Sequence, residues 1–546
     1  MTMTRPAGVR SLVAAAALGL LACGAVVTGA APIAVAPEPV SDEIIVHVLD
    51  RTGFGARPGD VDRVRAMGLQ AYLEEQLDPD RAGVPTPDAQ LRELRTLTLS
   101  TADLLREYPR PDPAARTQGA GGEAMPPEAR RAPAPRERRP VRMVAELQAA
   151  RLVRAVRSER QLEEVMVDFW LNHFNVSVQK GAVRWYVTSF ERDVIRPHAF
   201  GRFRQLLLAT ARHPAMLFYL DNWVSARPGF VVPAGPNQGR TAGLNENYAR
   251  ELMELHTLGV DGGYTQRDVT EVARAFTGWS IERPYRDGRF VFRPAFHDQG
   301  VKIVLGQSIS AGGERDGMQV IDQLARHPAT AHFLATKLVR RFVSDDPPPA
   351  LVERVAATYR DTDGDVRAML RVVLTSPEFV APEARRAKIK KPFELVASAS
   401  RAVDAAVDAR GGFELARASA RIGEPLYQAQ APTGYADRAE AWVNAGALLA
   451  RMNFALDLVH QRLPGVRVDV APLLAGVDRR RPEAVLDQLL ARVVPGRVSP
   501  ETRATLEAQL RDPRVTRLTP DDRVEADTDV ATVLALVLGS PEFQRR

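Results

Sequence analysis

The stretch Gln161-Leu-Glu-Glu-Val-Met-Val-Asp-Phe-Trp-Leu-Asn-His173 carries the clearest helical pattern of the chain. Its apolar residues recur at i, i+3, i+4, i+7 and i+8, which is the spacing of one buried helix face. They are Leu162, Val165, Met166, Phe169 and Trp170. The pattern predicts a helix that ends near Asn175, and His173 continues its apolar stripe.

Similar patterns extend over most of the 546 residues and predict a mostly α protein with a multi-helix globular body. Only 6% of the residues are aromatic, and Ala, Leu, Arg and Glu are abundant, which favours helices over sheets. Two short segments, 289–293 and 301–304, have the composition of strands. We predict that they form a small β-hairpin near 289–304.

The N-terminus has the order of charged and apolar residues that a secretory signal uses. Arg5 and Arg10 precede an apolar run over 11–22. We therefore predict that residues 1–30 are a cleaved signal sequence and that the protein is exported.

The rest of the chain divides by composition. Helical patterns predict an N-terminal helical segment at 41–107, a central helical domain with the polar motifs at 141–383, and a C-terminal helical region at 384–546. Between the first two, residues 108–140 are rich in Pro, Gly, Ala and Arg and have no apolar periodicity. That composition predicts a disordered insertion.

The chain has one cysteine, Cys23, which lies at the end of the apolar run in a sequence that looks like a bacterial lipobox. Lipidation there would make the mature chain a membrane-anchored lipoprotein of the cell envelope. The alternative is an ordinary signal, cut later near 28–30, and free secretion. Either way the folded part has no disulfide, thiolate metal ligand or cysteine nucleophile.

The formal net charge of +6 does not indicate a nucleic-acid partner. Much of the excess comes from the signal and from the 108–140 segment, and no stripe of basic residues interleaved with aromatic ones occurs elsewhere. We expect the partner or substrate to be something other than nucleic acid.

Polar side chains crowd in three blocks, at 170–174, 245–256 and 297–298. Two carboxylates three residues apart on one predicted helix, Glu251 and Glu254, would point to one place, and folding would bring histidines and an aspartate to them. The candidate catalytic residues are His173, Glu251, Glu254, His297 and Asp298. The candidate binding residues are Trp170, Asn172, Asn245, Glu246, Asn247, Arg250 and His256.

Imidazole and carboxylate groups together suit either a divalent metal or a metal-free acid–base pair. A divalent metal is thus a possible cofactor, although the spacing matches no established metal motif. An ordinary solvent-facing helix would equally explain Glu246, Arg250 and Glu254 as ion pairs four residues apart. No nucleophile elbow, phosphate loop or dinucleotide fingerprint occurs in the sequence.

At these blocks the chain resembles a bacterial family known as domain of unknown function 1800. The resemblance covers about residues 44–460. Its main blocks are Trp170-Leu-Asn-His-Phe174, 214–222, 245–259, 273–279, His297-Asp298, Lys391-Pro392 and 442–454. It departs from the family pattern at Gly434-Tyr435, where Gly-Trp is usual, and in the Pro/Arg-rich insertion.

The resemblance implies an exported, mostly helical protein, and it carries no activity over. It also implies a partner, a co-exported protein similar to alkaline-phosphatase-like hydrolases. From the clustered polar residues we expect an extracytoplasmic hydrolase that acts on an envelope or extracellular polymer. The alternative is a non-catalytic binding or assembly factor for the co-exported partner.

Overall fold

The fold is taken from a computed structural model, which describes residues 40–86, 88–110, 139–233, 238–496, 498–510 and 528–546. The predicted signal sequence with Cys23, and nearly all of the predicted 108–140 insertion, lie outside the described residues. Val40–Arg546 pack as one compact unit. The expectation of a mostly helical protein is confirmed.

The N-terminal segment supplies short helices that lie against the central part. They are α1 (Asp42–Thr52), α2 (Asp60–Met67), α3 (Leu69–Leu77), α4 (Asp88–Leu91) and α5 (Thr101–Glu107).

The central part holds the polar blocks. Its helices are α6 (Val141–Arg157), α7 (Gln161–His173), α8 (Val183–Ser189), α9 (Phe203–Arg212), α10 (Pro214–Tyr219), α11 (Asn247–Glu251), α12 (Gln266–Phe276), α13 (Glu314–Ala325), α14 (Pro328–Phe342), α15 (Pro349–Asp361), α16 (Val366–Leu374) and α17 (Pro377–Val380).

The C-terminal part continues the same core. Its helices are α18 (Pro392–Ala402), α19 (Ala409–Ile422), α20 (Ala445–Val459), α21 (Pro482–Val493), α22 (Pro500–Leu510) and α23 (Val530–Gly539). Helix α19 packs directly on α6 of the central part. A Cβ on Gly412 would lie 2.8 Å from the Ala149 carbonyl oxygen, so a glycine is what lets the two backbones approach.

The strands of the described residues form four two-stranded antiparallel sheets. They are β1 (Phe230–Val231) with β2 (Thr241–Ala242), β3 (Trp279–Glu282) with β4 (Arg289–Phe292), β5 (Lys302–Val304) with β6 (Gln307–Ile309), and β7 (Ala406–Val407) with β8 (Val466–Arg467). The prediction of one hairpin at 289–304 is therefore wrong. Both segments are strands, but each pairs with a nearer neighbour across a shorter turn.

The middle polar block does not form the regular helix that its sequence predicts. Helix α11 ends at Glu251, and the chain continues as a π-helix over Leu252–Thr257. The Leu258 amide donates to the carbonyl of Met253, five residues earlier, at 2.8 Å. The wider turn rotates Glu254 and His256 away from the faces that a 3.6-residue period assigns to them.

Helix α12 begins with a capping box. Thr265 accepts from the Asp268 amide and Asp268 accepts from the Thr265 amide, which is a complete capping box. Among the described residues, no helix is long and apolar enough to cross a membrane.

Candidate functional site

His173 ends helix α7 inside the protein, with 2% of its surface exposed. Its Nε2 lies 3.1 Å from the carbonyl oxygen of His256, and its Nδ1 lies 2.9 Å from the Lys337 ammonium. Because the carbonyl can only accept and the ammonium can only donate, the ring carries its hydrogen on Nε2. Burial, together with the nearby charge of Lys337, holds the pKa of His173 well below its ordinary value. The imidazole is therefore neutral.

Lys337, on α14, is the cation that faces this neutral histidine. Among the described residues no carboxylate oxygen lies within 4.0 Å of its Nζ. Burial lowers the pKa of Lys337 to about 8, with Arg340 adding to the effect and Asp437 opposing it. The neutral imidazole of His173 does not stabilise the charged form of Lys337 as a carboxylate would.

Both residues line a cavity of about 250 Å³ between α7, α14 and the loop at 433–438. Five basic and two acidic side chains lie on its wall. The lining residues are Asp168, Phe169, Asn172, His173, Lys337, Arg340, Arg341, Lys391, Thr433, Tyr435, Ala436, Asp437 and Arg438. The excess of cations favours an anionic ligand.

Arg341, which also lines this cavity, has buried hydrogen-bond donors without partners among the described residues. Its Nη1 donates to Glu394. Its Nε and Nη2 are buried and have no hydrogen-bond partner among the described residues, although only 2% of the residue is exposed. The Nε and Nη2 hydrogens of a guanidinium form the fork that binds a carboxylate, sulfate or phosphate through two parallel hydrogen bonds.

A buried ionic network supports the cavity floor. Asp168 accepts from Arg151 at 2.8 Å and from Lys391 at 3.0 Å. Burial acts to raise the pKa of Asp168, but the charges of Lys391 and Arg151 outweigh it, so this pKa lies below its ordinary value. Burial raises the pKa of Glu424, which lies 3.8 Å from Lys391, to about 7. Lys391 and Asp168 thus neutralise each other, while Lys337 has no such partner in the described part of the chain.

The 433–438 loop is tied to α7 by Asn172. Its Oδ1 accepts from the Tyr435 amide at 2.7 Å, and its Nδ2 donates to the Tyr435 carbonyl at 2.8 Å. Gly434 has a φ of 69°, and a Cβ there would lie 2.5 Å from Asn172 Oδ1. A glycine is therefore required for the loop to close over the helix end.

The first predicted block is thus brought together at the cavity. Asn172 and His173 line it, and the His256 ring lies 6.1 Å from that of His173, centroid to centroid. Burial lowers the pKa of His256 to about 3. Trp170 is buried behind them and donates from Nε1 to the Ala199 carbonyl at 3.0 Å, so it packs against the site without lining it.

The N-terminal half of the middle block has its own partners. Asn245 accepts from the Asn247 amide at 2.9 Å, and Asn247 Nδ2 lies 3.4 Å from the Leu220 carbonyl. Glu246 accepts from Gln266 at 2.7 Å, and Arg250 donates to the same glutamine at 2.7 Å. This half therefore forms a polar ladder between α11 and α12, away from the cavity wall.

Glu251 and Glu254 are half-buried and also lie off the cavity wall. Burial raises the pKa of Glu251, the negative charge of Glu254 adds to the effect, and Arg250 opposes it. Glu254 accepts from the Tyr264 hydroxyl at 3.2 Å. The two carboxylates are close enough to influence each other, as their spacing predicts.

The third block forms a separate cluster. His297 Nε2 lies 3.0 Å from the carboxylate of Asp316, which accepts from Lys302 at 2.5 Å, and all three side chains are buried. Asp298 accepts two hydrogen bonds from Arg274, each of 3.0 Å. His297 and Asp298 thus do not join His173 at the cavity.

The metal hypothesis gains no support from the geometry. Within the described ranges, no group of three or more His, Cys, Asp or Glu side chains is arranged to hold a metal ion. The carboxylates of the cavity, Asp168 and Asp437, each lie beside a lysine.

Sequence reasoning missed the cations that surround His173. Arg341 follows Leu334 and Leu338 on the apolar stripe of α14, and Lys337 lies beside it. Asp168 likewise lies within the mostly apolar stretch of α7. A charged residue among apolar positions is the same signal that singled out His173, and it would have found these three.

The fold and the site define a class: a mostly helical protein with a basic cavity between two central helices and the 433–438 loop. The chain belongs to the family described as protein of unknown function (DUF1800), which matches residues 47–545. The predicted family is thereby confirmed, and the match extends beyond residue 460 through the C-terminal helices. No curated protein and no solved structure matches the chain.

Proposed function

We propose that this protein is an exported cell-envelope protein that binds an acidic group of an extracytoplasmic polymer in the 250 Å³ cavity. The observation that carries the proposal is that the buried Nε and Nη2 of Arg341, a residue of the cavity wall, have no hydrogen-bond partner among the described residues. Leaving buried donors unpaired costs about 1 to 3 kcal/mol, and an oxyanion in the cavity would recover that free energy.

The charges around the cavity support the same ligand chemistry. Lys337 and Arg340 lie within one turn of Arg341 on α14, and no carboxylate of the described residues lies within 4.0 Å of Lys337. Arg438 is exposed at the rim, where it would meet an approaching anion first. Asp168 does not repel the anion strongly, because Arg151 and Lys391 already neutralise it.

Arg341→Lys tests the proposal because it keeps the charge and the pairing with Glu394 but removes the fork. We expect binding of polygalacturonate or polyphosphate, measured by calorimetry, to weaken about 10- to 100-fold, the effect of losing a charge-assisted hydrogen bond. Inorganic phosphate should compete with the polymer in the wild type.

Arg354→Lys is the matched control, because Arg354 already gives both of its bonds to Glu378 on the surface, at 2.7 and 2.9 Å. Its affinity for the polymer should equal that of the wild type. Equal affinity of folded Arg341→Lys and wild type would contradict the assignment of Arg341.

A hydrolase is the second candidate function, favoured by Glu251. Burial and Glu254 raise the pKa of this carboxyl group, and a carboxylic acid that keeps its proton nearer to neutral pH is suited to general acid catalysis. Because Glu251 lies off the cavity wall, this candidate requires the polymer to extend beyond the cavity to Glu251, which would protonate the leaving group.

Glu251→Gln removes the acid without changing the shape of the side chain. If the protein hydrolyses the polymer that it binds, the rate of product release should fall about 10²- to 10⁴-fold, with an unchanged melting temperature. Glu353→Gln, at an exposed position of α15, should retain the full rate. An unchanged rate in Glu251→Gln would remove Glu251 from the mechanism.

The alternative, that the protein is a non-catalytic binding or assembly factor, also stays a prediction. It expects the chain to bind the co-exported hydrolase-like partner, and co-purification of the two proteins tests it directly.

A further inference from the structure

Lysine is rare in this chain, and its few positions are unusual. Of the 73 Lys and Arg residues, six are lysines: Lys180, Lys302, Lys337, Lys388, Lys390 and Lys391. Arginine therefore supplies nearly all the surface cations. Lys302, Lys388, Lys390 and Lys391 are each at most 5% exposed. Lysine, unlike arginine, can give up its proton when it is buried, so these positions differ chemically from the rest.

The five lysines other than Lys180 divide into two groups by their partners. Lys302, Lys388 and Lys391 each contact a carboxylate, on Asp316, Asp345 and Asp168 respectively. Lys337 and Lys390 have none within 4.0 Å among the described residues, and burial lowers the pKa of each to about 8. An amine of this kind is partly neutral at pH 7 to 8, and the neutral amine is the nucleophilic form.

Only Lys337 of these two has room for a ligand. It lines the 250 Å³ cavity, whereas Lys390 lines one of about 40 Å³ and is held by the Ser398 hydroxyl at 2.8 Å and by the Phe543 ring at 3.9 Å. His173 Nδ1 accepts a hydrogen bond from Lys337 at 2.9 Å and so orients the nitrogen at the cavity wall. Arg341 lies one turn further along α14 in the same cavity.

We propose that Lys337 is a nucleophilic amine that forms an imine with a carbonyl ligand carrying an acidic group, such as a 2-oxo acid. This inference rests on the proposed anion site, because Arg341 holds the acidic group while the Lys337 nitrogen faces the carbonyl carbon.

The chemistry balances without a further reactant. The neutral amine attacks the carbonyl carbon, a C–N bond forms, and the carbonyl oxygen takes up the protons released from nitrogen. That oxygen then leaves as one water molecule, which gives the C=N double bond. His173 Nδ1, with its lone pair directed at Lys337, positions the amine and is not itself consumed.

Reductive trapping tests the inference on the full chain. The protein is incubated at pH 8 with glyoxylate and cyanoborohydride, and the modified lysines are located by peptide mass spectrometry. We expect Lys337 to be modified about tenfold or more faster than Lys180, which is half-exposed and paired with Asp221 at 2.6 Å. Lys390 is the control for the effect of a lowered pKa without a large cavity. It should react slowly, because its cavity is small.

Two further arms separate this inference from the anion site. Propanal has the carbonyl without the acid, so faster labelling of Lys337 by glyoxylate than by propanal supports both proposals. Equal labelling of Lys337 by the two probes supports the nucleophile and counts against the anion site. Lys337 labelling no faster than Lys180 with either probe would overturn the inference. Lys337→Arg should abolish the selective label, while circular dichroism shows that the variant is folded.

Discussion

Asp168 shows how one side chain of the cavity wall can support the site through its ion pairs. It is 6% exposed and accepts from both Arg151 and Lys391. Neither cation has a solvated alternative, because each is also at most 5% exposed. A buried charge that loses its counter-ion costs far more than the pair contributes when it is intact.

We therefore expect Asp168→Asn to lower the free energy of unfolding by about 3 to 5 kcal/mol, because the buried Arg151 and Lys391 both lose the carboxylate nearest to them. Urea denaturation at pH 7 measures the change. Asp322→Asn, at a half-exposed ion pair with Arg204, is the control and should cost at most about 1 kcal/mol. A loss that small for Asp168→Asn would contradict the buried network.

We also expect Asp168 to make the stability of the protein depend on pH in the acid range. The pKa of Asp168 is lower in the folded protein than in the unfolded chain, where it is about 3.9. Its contribution to the free energy of unfolding is therefore complete above about pH 3.9 and is lost as the pH falls through the pKa of Asp168 in the folded protein. The wild type should lose stability on acidification more steeply than Asp168→Asn.

At the scale of elements, the polar blocks are placed by helix ends and by one irregular helix. His173 reaches the cavity because α7 ends there, and the π-helix at Leu252–Thr257 brings the His256 carbonyl to His173. The capping box of Thr265 begins α12, which holds the Glu246 and Arg250 ladder through Gln266.

Thr265→Ala is expected to lower the free energy of unfolding by about 1 kcal/mol, the usual effect of losing an N-cap. Thr505→Ala is the control, because Thr505 is exposed within α22 and its hydroxyl donates to the Glu501 carbonyl of its own helix. That control should change stability by at most about 0.5 kcal/mol. Equal effects of the two substitutions in thermal or urea denaturation would show that the box does not stabilise α12.

At the scale of the whole molecule, the predicted localisation depends on the N-terminal sequence, which lies outside the described residues. The lipobox-like sequence around Cys23 predicts a lipid anchor, and the first thirty residues predict export. An exported binding protein with a basic cavity would meet acidic polymers in the cell envelope.

Cys23→Ser should shift the protein from the membrane fraction to the soluble extracytoplasmic fraction, because the serine cannot carry the thioether-linked lipid. Immunoblots of separated fractions measure the distribution, and Ser11→Ala in the apolar run serves as the control. Identical distributions of Cys23→Ser and wild type would end the lipoprotein proposal and leave export to be tested by signal deletion.

The sequence by itself determined the helical class, the family and the first polar block. Periodicity encodes which face of a helix is buried, so α7, with His173 on its apolar stripe, could be predicted from local spacing alone. The capping box of α12 is also local, since its two partners are three residues apart.

Only the tertiary structure decided which polar residues meet. His173, Lys337 and Lys391 are far apart in sequence, and their meeting depends on which helix faces pack together, which a periodic pattern does not specify. Local spacing did not predict the π-helix, because one extra residue in a helical turn leaves little signal in the sequence. It did not predict the separate hairpins either, because the sequence does not show which of two turns joins the paired strands. The predicted site was therefore divided, with His173 at the cavity and His297 in a cluster of its own.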